Sequence, residues 1–303
     1  MKLHINNETS RLRAVVLGTA KSNGPIPTLE EAYDPKSQEH IKAGTYPNEE
    51  DMVKEIEAVA AVFKKYDVEV FRPKIIENYN QIFTRDIAFV IDDKLVRSNI
   101  LPDRDQEIDA IEHVIKQIDP AKIIRLPENA HIEGGDVMPM GDYVFVGTYK
   151  GEDYKDFITA RTNRQAVEGL EKAFPDKKVV SFSLKKSNHV AKDNALHLDC
   201  CFQPVGKNMA IIYKGGFLIE DEYNWLVDFF GKENVYEITR DEMYHMNSNI
   251  FSISEDVVIS EKGFTRLNSW LREQGITVEE VPYAEISKQE GLLRCSTLPL
   301  IRD

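Results

Sequence analysis

The stretch NEEDMVKEIEAVAAVFKKYDVEVFRP, residues 48–73, holds one unit of the pattern that sets the fold. Asn48 is placed to cap a helix on which Met52, Val53, Ile56, Val59, Ala60 and Phe63 share one face. The valine- and phenylalanine-rich run at 67–73 then reads as a short strand. Outward from here the unit recurs. Ile108, Ile111, Ile115 and Ile118 form a helical stripe stopped by Pro120, with a strand at 122–127. Ala166, Val167, Leu170 and Phe174 precede Pro175 and a strand at 178–182. Trp225, Leu226, Phe229 and Phe230 end at Gly231, before a strand at 234–238. Phe264, Leu267, Trp270 and Leu271 end at Gly275, before a strand at 276–281.

The five strands begin near 67, 122, 178, 234 and 276, in steps of 55, 56, 56 and 42 residues. A near-constant step implies repeated supersecondary units, stacked or closed into a ring. A doubly wound parallel sheet is the alternative. Five units without a long linker favour a closed ring formed by a single domain over 1–303. Upstream, residues 13–18 read as a first strand. Residues 21–47, rich in Pro, Gly and polar residues, read as a long loop and a candidate lid.

With 303 residues, 42 % of them hydrophobic, the chain can bury a sizeable core. Its net charge of −13 argues against nucleic acid or an anionic membrane as partner, and suits a cationic small molecule. Three cysteines do not make a disulfide framework at this length, and Cys200-Cys201 reads as a reduced core pair. No apolar signal core opens the chain and no apolar run reaches spanning length, so a soluble, cytoplasmic protein is expected.

Each repeat strand is followed by a polar cluster. In order these hold Asn80 with Arg85-Asp86, Glu133-Gly-Gly-Asp136, His197-Leu-Asp199, Asn247-Ser-Asn249, and Arg294-Cys295-Ser-Thr297. Equivalent places in a closed ring converge on its axis, so these side chains would share one pocket. Cys295 follows an arginine, and a positive neighbour lowers a thiol pKa toward the nucleophilic thiolate. Simpler readings stand beside these: an Asp86–Arg85 ion pair, a core His197, a tight turn at Gly134-Gly135, and turn-forming Asn247 and Asn249. No pair of candidate ligands has the short spacing of a zinc site, so no metal is expected.

Four of these pieces, Phe83-Thr-Arg-Asp86, Glu133-Gly-Gly-Asp136, His197-Leu-Asp199 and Arg294-Cys295-Ser-Thr-Leu-Pro-Leu-Ile-Arg302, resemble the guanidino-group modifying superfamily in both content and order. That superfamily comprises arginine deiminases, dimethylargininases and amidinotransferases. The resemblance implies an α/β fold, a five-bladed α/β propeller with pseudo-fivefold ββαβ repeats. It implies that Cys295 is the nucleophile, that His197 is its acid and base, and that Glu133 orients the histidine. Asp86 and Asp199 would grip the guanidinium, and Asp136 would support the site or contact substrate. Asn80 would contact the substrate's amino-acid end. Arg104 and Arg161 are candidates to bind a substrate carboxylate, although Arg161, beyond a spacing longer than deiminases show, reads better as a surface arginine.

Three departures bear on the substrate. The chain lacks the helical insertion of deiminases. Glu290-Gly291 replaces a glycine pair, and the N-terminal third looks more like an amidinotransferase. The resulting expectation is a cofactor-independent hydrolase of a guanidino compound, yielding a ureido product through a covalent thiouronium. The alternatives are an amidinotransferase, a non-catalytic binder of arginine-like ligands, and a cysteine hydrolase of acyl substrates. The last leaves Asp86 and Asp199 without a task. The expected partner is a small guanidino substrate, which sequence leaves open among arginine, its derivatives and agmatine; a homodimer is the expected assembly.

Overall fold

A computed structural model describes residues 1–32 and 34–303. Fifteen strands among them form five separate sheets of three. In the first, β1 (Leu12–Leu17) runs parallel to β2 (Glu69–Phe71) and antiparallel to the C-terminal strand Thr297–Arg302. The second is β3 (Ala88–Ile91), β4 (Lys94–Arg97) and β5 (Ile123–Arg125). The third is β6 (Val137–Met140), β7 (Tyr143–Thr148) and β8 (Lys178–Ser183). The fourth is β9 (Phe202–Val205), β10 (Met209–Ile212) and β11 (Val235–Glu237). The fifth is β12 (Phe251–Ser254), β13 (Val257–Glu261) and β14 (Thr277–Val281). The C-terminal strand, β15, completes the first sheet.

All five sheets share one plan: an antiparallel pair, then a helical crossover to a third strand parallel to the middle one. The crossover strands are those expected from the repeat. Helix Glu49–Lys65 begins at the Asn48 cap, whose side chain accepts from the Asp51 N–H at 2.9 Å. Acids fill its first turn and lysines its last, as the helix dipole favours, and Met52, Ile56, Val59 and Phe63 are buried.

Two expectations need correction. The Ile108–Ile118 stripe is not one helix but two four-residue helices, Glu107–Ala110 and Glu112–Ile115, broken at Ile111. Repeated β-branched residues with Asp and His make a poor helix, yet Ile111, Ile115 and Ile118 still reach the core. Residues 21–47 are not all loop. Helix Pro35–Ala43 lies within them, capped by Asp34, which accepts from the Ser37 N–H at 2.7 Å, and stopped by Gly44 at φ +66°. Among the described residues no helix is long and apolar enough to cross a membrane.

The polar clusters all occupy one place, the segment entering the edge strand of a sheet's antiparallel pair. Thr84–Ile87 precedes β3, Gly134–Asp136 precedes β6, Leu198–Cys200 precedes β9, Asn247 to Asn249 precede β12, and Arg294-Cys295 precedes β15. Four apolar clusters pack beneath them. One is aromatic: the fully buried Phe145 meets Phe182 edge-on at 5.6 Å, Trp225 at 5.8 Å and Phe229 at 5.2 Å between ring centroids. Phe145→Ala is therefore expected to cost about 3–5 kcal/mol of stability, read by denaturant unfolding. A loss under about 1 kcal/mol would show that the cluster does not hold these sheets.

Candidate active site

Arg294 is the most connected group of the site. It has no exposed surface, and its guanidinium donates to Glu8 at 3.2 and 3.1 Å, to Asp199 at 2.9 Å, and to the carbonyls of Gly135 and Val137 at 3.2 and 2.8 Å. Its backbone N–H donates to Asn249 Oδ1 at 2.9 Å. Entry segments of four sheets and the N-terminal segment thus meet on one residue. The Arg294 charge is consumed by Glu8 and Asp199, so it does not lower the thiol pKa as its adjacency suggested.

The next residue, Cys295, is 2 % exposed. Its Sγ accepts from Asn249 Nδ2 at 3.2 Å and lies 3.7 Å from Asp199 Oδ2. Burial, then the charges of Asp199 and Asp86, push its thiol well above the ordinary range. In this setting the Cys295 sulfur is held as a thiol.

His197 is buried beside it. Its Nε2 is 2.8 Å from Glu133 Oε2, and its Nδ1 is 3.9 Å from Asp86 Oδ1. Burial alone would lower the imidazole pKa, but Asp86 and Glu133 outweigh it and raise it to about 9. Glu133, with no exposed surface, faces Arg161 Nη1 at 3.2 and 3.3 Å and Arg104 Nη1 at 3.6 Å. Burial opposes its charge, yet Arg161, His197 and Arg104 hold the carboxyl well below its usual range. The backbone on each side of the histidine is pinned. Lys186 donates to the carbonyls of Ala195 and Leu196 at 2.8 and 2.7 Å, and Asp136 Oδ1 accepts from the Leu198 N–H at 2.8 Å.

Asp86 does not pair with Arg85, which turns toward Glu8 at 3.9 Å. Asp86 Oδ2 accepts from Arg104 Nη1 at 2.9 Å, while Oδ1, although buried, has no hydrogen-bond partner among the described residues. Arg104 is gripped by both oxygens of Glu107, at 2.7 and 3.0 Å. Asp86, Glu133 and His197 offer ligand atoms within 4.8 Å of one another, but Arg104 and Arg161 already bring positive charge to that spot.

A cavity of about 320 Å³ opens onto Cys295, His197 and Asp86, and Asn80, Arg104 and Arg161 also line it. Asn80 donates to Gln289 at 2.6 Å and accepts from the Ile82 N–H at 3.0 Å. Asn23, Pro25, Pro27 and Ala32 make part of the wall, so the segment 21–47 covers the site. Two sequence expectations change. Arg161 is not a surface residue but 2 % exposed behind Glu133. Asp199 does not line the cavity; it lies under the sulfur, neutralised by Arg294. Asn249, read as a turn former, touches the Cys295 sulfur, and Glu8 carries no motif at all.

Gly135 packs against the histidine ring. A Cβ there would lie 2.6 Å from His197 Nδ1 and 2.7 Å from Cγ. Gly135→Ala should displace the ring from Glu133 and lower turnover roughly 100-fold while cooperative unfolding persists. Activity within about threefold of wild type would show that the ring position is not critical. The His197 ring should titrate near 9 by NMR. In Glu133→Gln the midpoint should fall, because a charge that favours imidazolium is gone; an unmoved midpoint contradicts the pairing.

The chain matches the family model described as N,N dimethylarginine dimethylhydrolase, eukaryotic, over residues 28–302. It is 34 % identical over 226 residues to the uncharacterized protein YkgA of Bacillus subtilis, covering 73 % of this chain and 70 % of that one. It is 27 % identical over 192 residues to the N(G),N(G)-dimethylarginine dimethylaminohydrolase of Pseudomonas aeruginosa, covering 63 % and 65 %. Among solved structures, the N-terminal domain of ArgZ, a cyanobacterial arginine dihydrolase, superposes with TM-score 0.78 at 17 % identity, over 95 % of this chain and 98 % of that one. The amidinotransferase SxtG of Microseira wollei gives 0.76 at 16 %, over 99 % and 97 %; at these identities the likeness shows the fold. With the family model spanning residues 28–302 and the motif segments converging around one cavity, the chain belongs to the dimethylarginine dimethylhydrolase family, within the guanidino-group modifying superfamily of enzymes.

Proposed function

We propose that this protein hydrolyses a guanidino compound to a ureido product and ammonia or an amine, with Cys295 as nucleophile. One observation carries the reading: Cys295, His197 and Asp86 with its open oxygen line one cavity, and Glu133 holds the histidine from behind. The five sheets, one entry segment from each reaching this centre, are read as blades of a single α/β propeller domain around a pseudo-fivefold axis.

A guanidinium is planar, cationic and resonance-stabilised, hence a poor electrophile. Asp86 Oδ1 accepts its N–H groups and fixes the central carbon near the sulfur. The same cation reverses the local field that holds Cys295 as a thiol, so the thiolate forms once substrate is bound and its proton leaves to solvent. The thiolate adds to the carbon. Protonated His197 gives its proton to the leaving nitrogen, the C–N bond breaks, and a thiouronium remains on Cys295. Neutral His197 then takes a proton from water as it adds to that carbon, and collapse expels the thiolate and leaves the ureido product. Glu133 holds the ring in place, Arg161 and Arg104 keep Glu133 ionised, and Asn249 donates to the sulfur. Asp199, facing the sulfur from below, acts on the thiol instead of gripping the guanidinium.

The test is a product assay with arginine, dimethylarginine, agmatine and guanidinoacetate, each with and without glycine. A ureido product formed without glycine is expected. Product only in the presence of the amine would move the protein to amidino transfer. Cys295→Ser should abolish turnover with the fold intact, and residual activity within about tenfold would sink the assignment. The acid form of His197 is fully present below about 9 and lost above it, so the rate should fall on an alkaline limb near that pH. The acid limb follows Asp86, whose carboxyl burial raises above its usual range. A rate that keeps rising beyond pH 10 would remove His197 from the acid role.

A further inference from the structure

Part of the cavity wall is unused by this chemistry. Glu290 and Asp34 both line it, 4 % and 7 % exposed. Glu290 stands at φ +56°, a left-handed conformation costly for a side chain of its kind, at the position where the sequence departs from a glycine pair. Its Oε1 accepts from Asn194 Nδ2 at 2.6 Å. Its Oε2, buried at the cavity wall, accepts from no N–H or hydroxyl of the described residues. Asp34 is hydrogen-bonded to the same carboxyl, a contact that two carboxyls make only by sharing a proton, and its Oδ1 accepts from the Ser37 N–H. The cation that faces this pair is Lys36, 2 % exposed, whose ammonium donates to the Tyr244 carbonyl at 2.5 Å and lies over the Tyr244 ring.

Two carboxyls against one ammonium leave the group one positive charge short. In the empty site a proton supplies it, since burial and the neighbouring Asp34 push the Glu290 carboxyl well above its ordinary range. A ligand ammonium can displace that proton and donate to Oε2. A ligand carboxylate has no such place. Glu31 and Asp103 are the other charged groups of the wall, Arg104 is held by Glu107 and Asp86, and Arg161 is held by Glu133.

We infer that Glu290 and Asp34 form a second cation subsite in this cavity, and that the substrate class is a guanidino compound carrying an amine at its other end, not a guanidino acid. This rests on the hydrolase reading for its chemistry, but the subsite is a matter of binding.

The experiment compares aminoalkylguanidines of three to five methylenes with n-butylguanidine and 4-guanidinobutyrate. For at least one chain length, kcat/KM should exceed that of butylguanidine by about tenfold or more, with guanidinobutyrate the poorest. Glu290→Gln should erase the aminoalkyl-to-alkyl ratio; Asp34→Asn is the second variant, and the ratio is internal to each protein. Equal rates for aminoalkyl- and alkylguanidine in the wild type, or a preference for guanidinobutyrate, overturn the subsite. Calorimetry on Cys295→Ser reads binding without turnover. Tighter binding of the aminoalkylguanidine, with proton release that differs between buffers, supports the subsite even if no compound is turned over, in which case the hydrolase reading alone has failed. Equal binding of all three compounds overturns the subsite.

Discussion

The buried guanidinium of Arg294 is the constraint from which the site's geometry follows. It has no contact with water, so every donor it carries must find a protein acceptor, and it finds them on segments far apart in sequence: Glu8, Gly135, Val137 and Asp199. Removing one partner from such a group typically costs about 3–5 kcal/mol, because a charge is left buried and uncompensated. That penalty makes the register of the entry segments an all-or-none matter. Cys295 is the next residue, and Asn249 binds both the backbone of this pair and the sulfur. The Cys295 sulfur is therefore placed by the same bonds that close the centre of the fold.

Around that point the charges are arranged in opposed pairs. Glu133 stays ionised because Arg161 and Arg104 stand behind it, and its charge, with that of Asp86, keeps His197 protonated against the pull of burial. The thiol lies on the acidic side of this arrangement and is held neutral. The open oxygen of Asp86 and the open oxygen of Glu290 are both buried, and both line the cavity. Both open oxygens can accept from the N–H groups of a ligand cation. In the proposed mechanism, specificity for a cation and activation of the sulfur have one electrostatic origin.

How much of this the sequence disclosed can be argued residue by residue. The helix–strand units were legible because an amphipathic stripe followed by a β-rich run is a local signal, and the crossover strands fall where the pattern put them. The edge strands of the antiparallel pairs were not. β6, β9 and β15 carry Pro139, Pro204 and Pro299, which would argue against a central strand, but each is an edge strand, where a missing N–H is tolerated. The Pro35–Ala43 helix had its cap in Asp34-Pro35 and its stop in Gly44, signals hidden in a segment dominated by Pro and Gly. Cys295, His197, Glu133 and Asp86 were legible through motifs. Arg161 was misread because spacing is a poor guide across a long loop, and Glu8 because a lone buried acid near a chain end leaves no pattern. The true environment of Asp199 depended on which carboxylates Arg294 would claim, a tertiary fact.

The claim on which the account stands is that Cys295 bonds to the guanidino carbon. The direct measurement is intact-mass analysis of enzyme mixed with a turned-over guanidino substrate and quenched in acid within the first turnovers, followed by peptide mapping. The expected result is an added mass equal to the substrate less its departing ammonia or amine, located on Cys295 and absent from Cys200 and Cys201. A quenched enzyme of unchanged mass during active turnover, or an adduct on another residue, would contradict it.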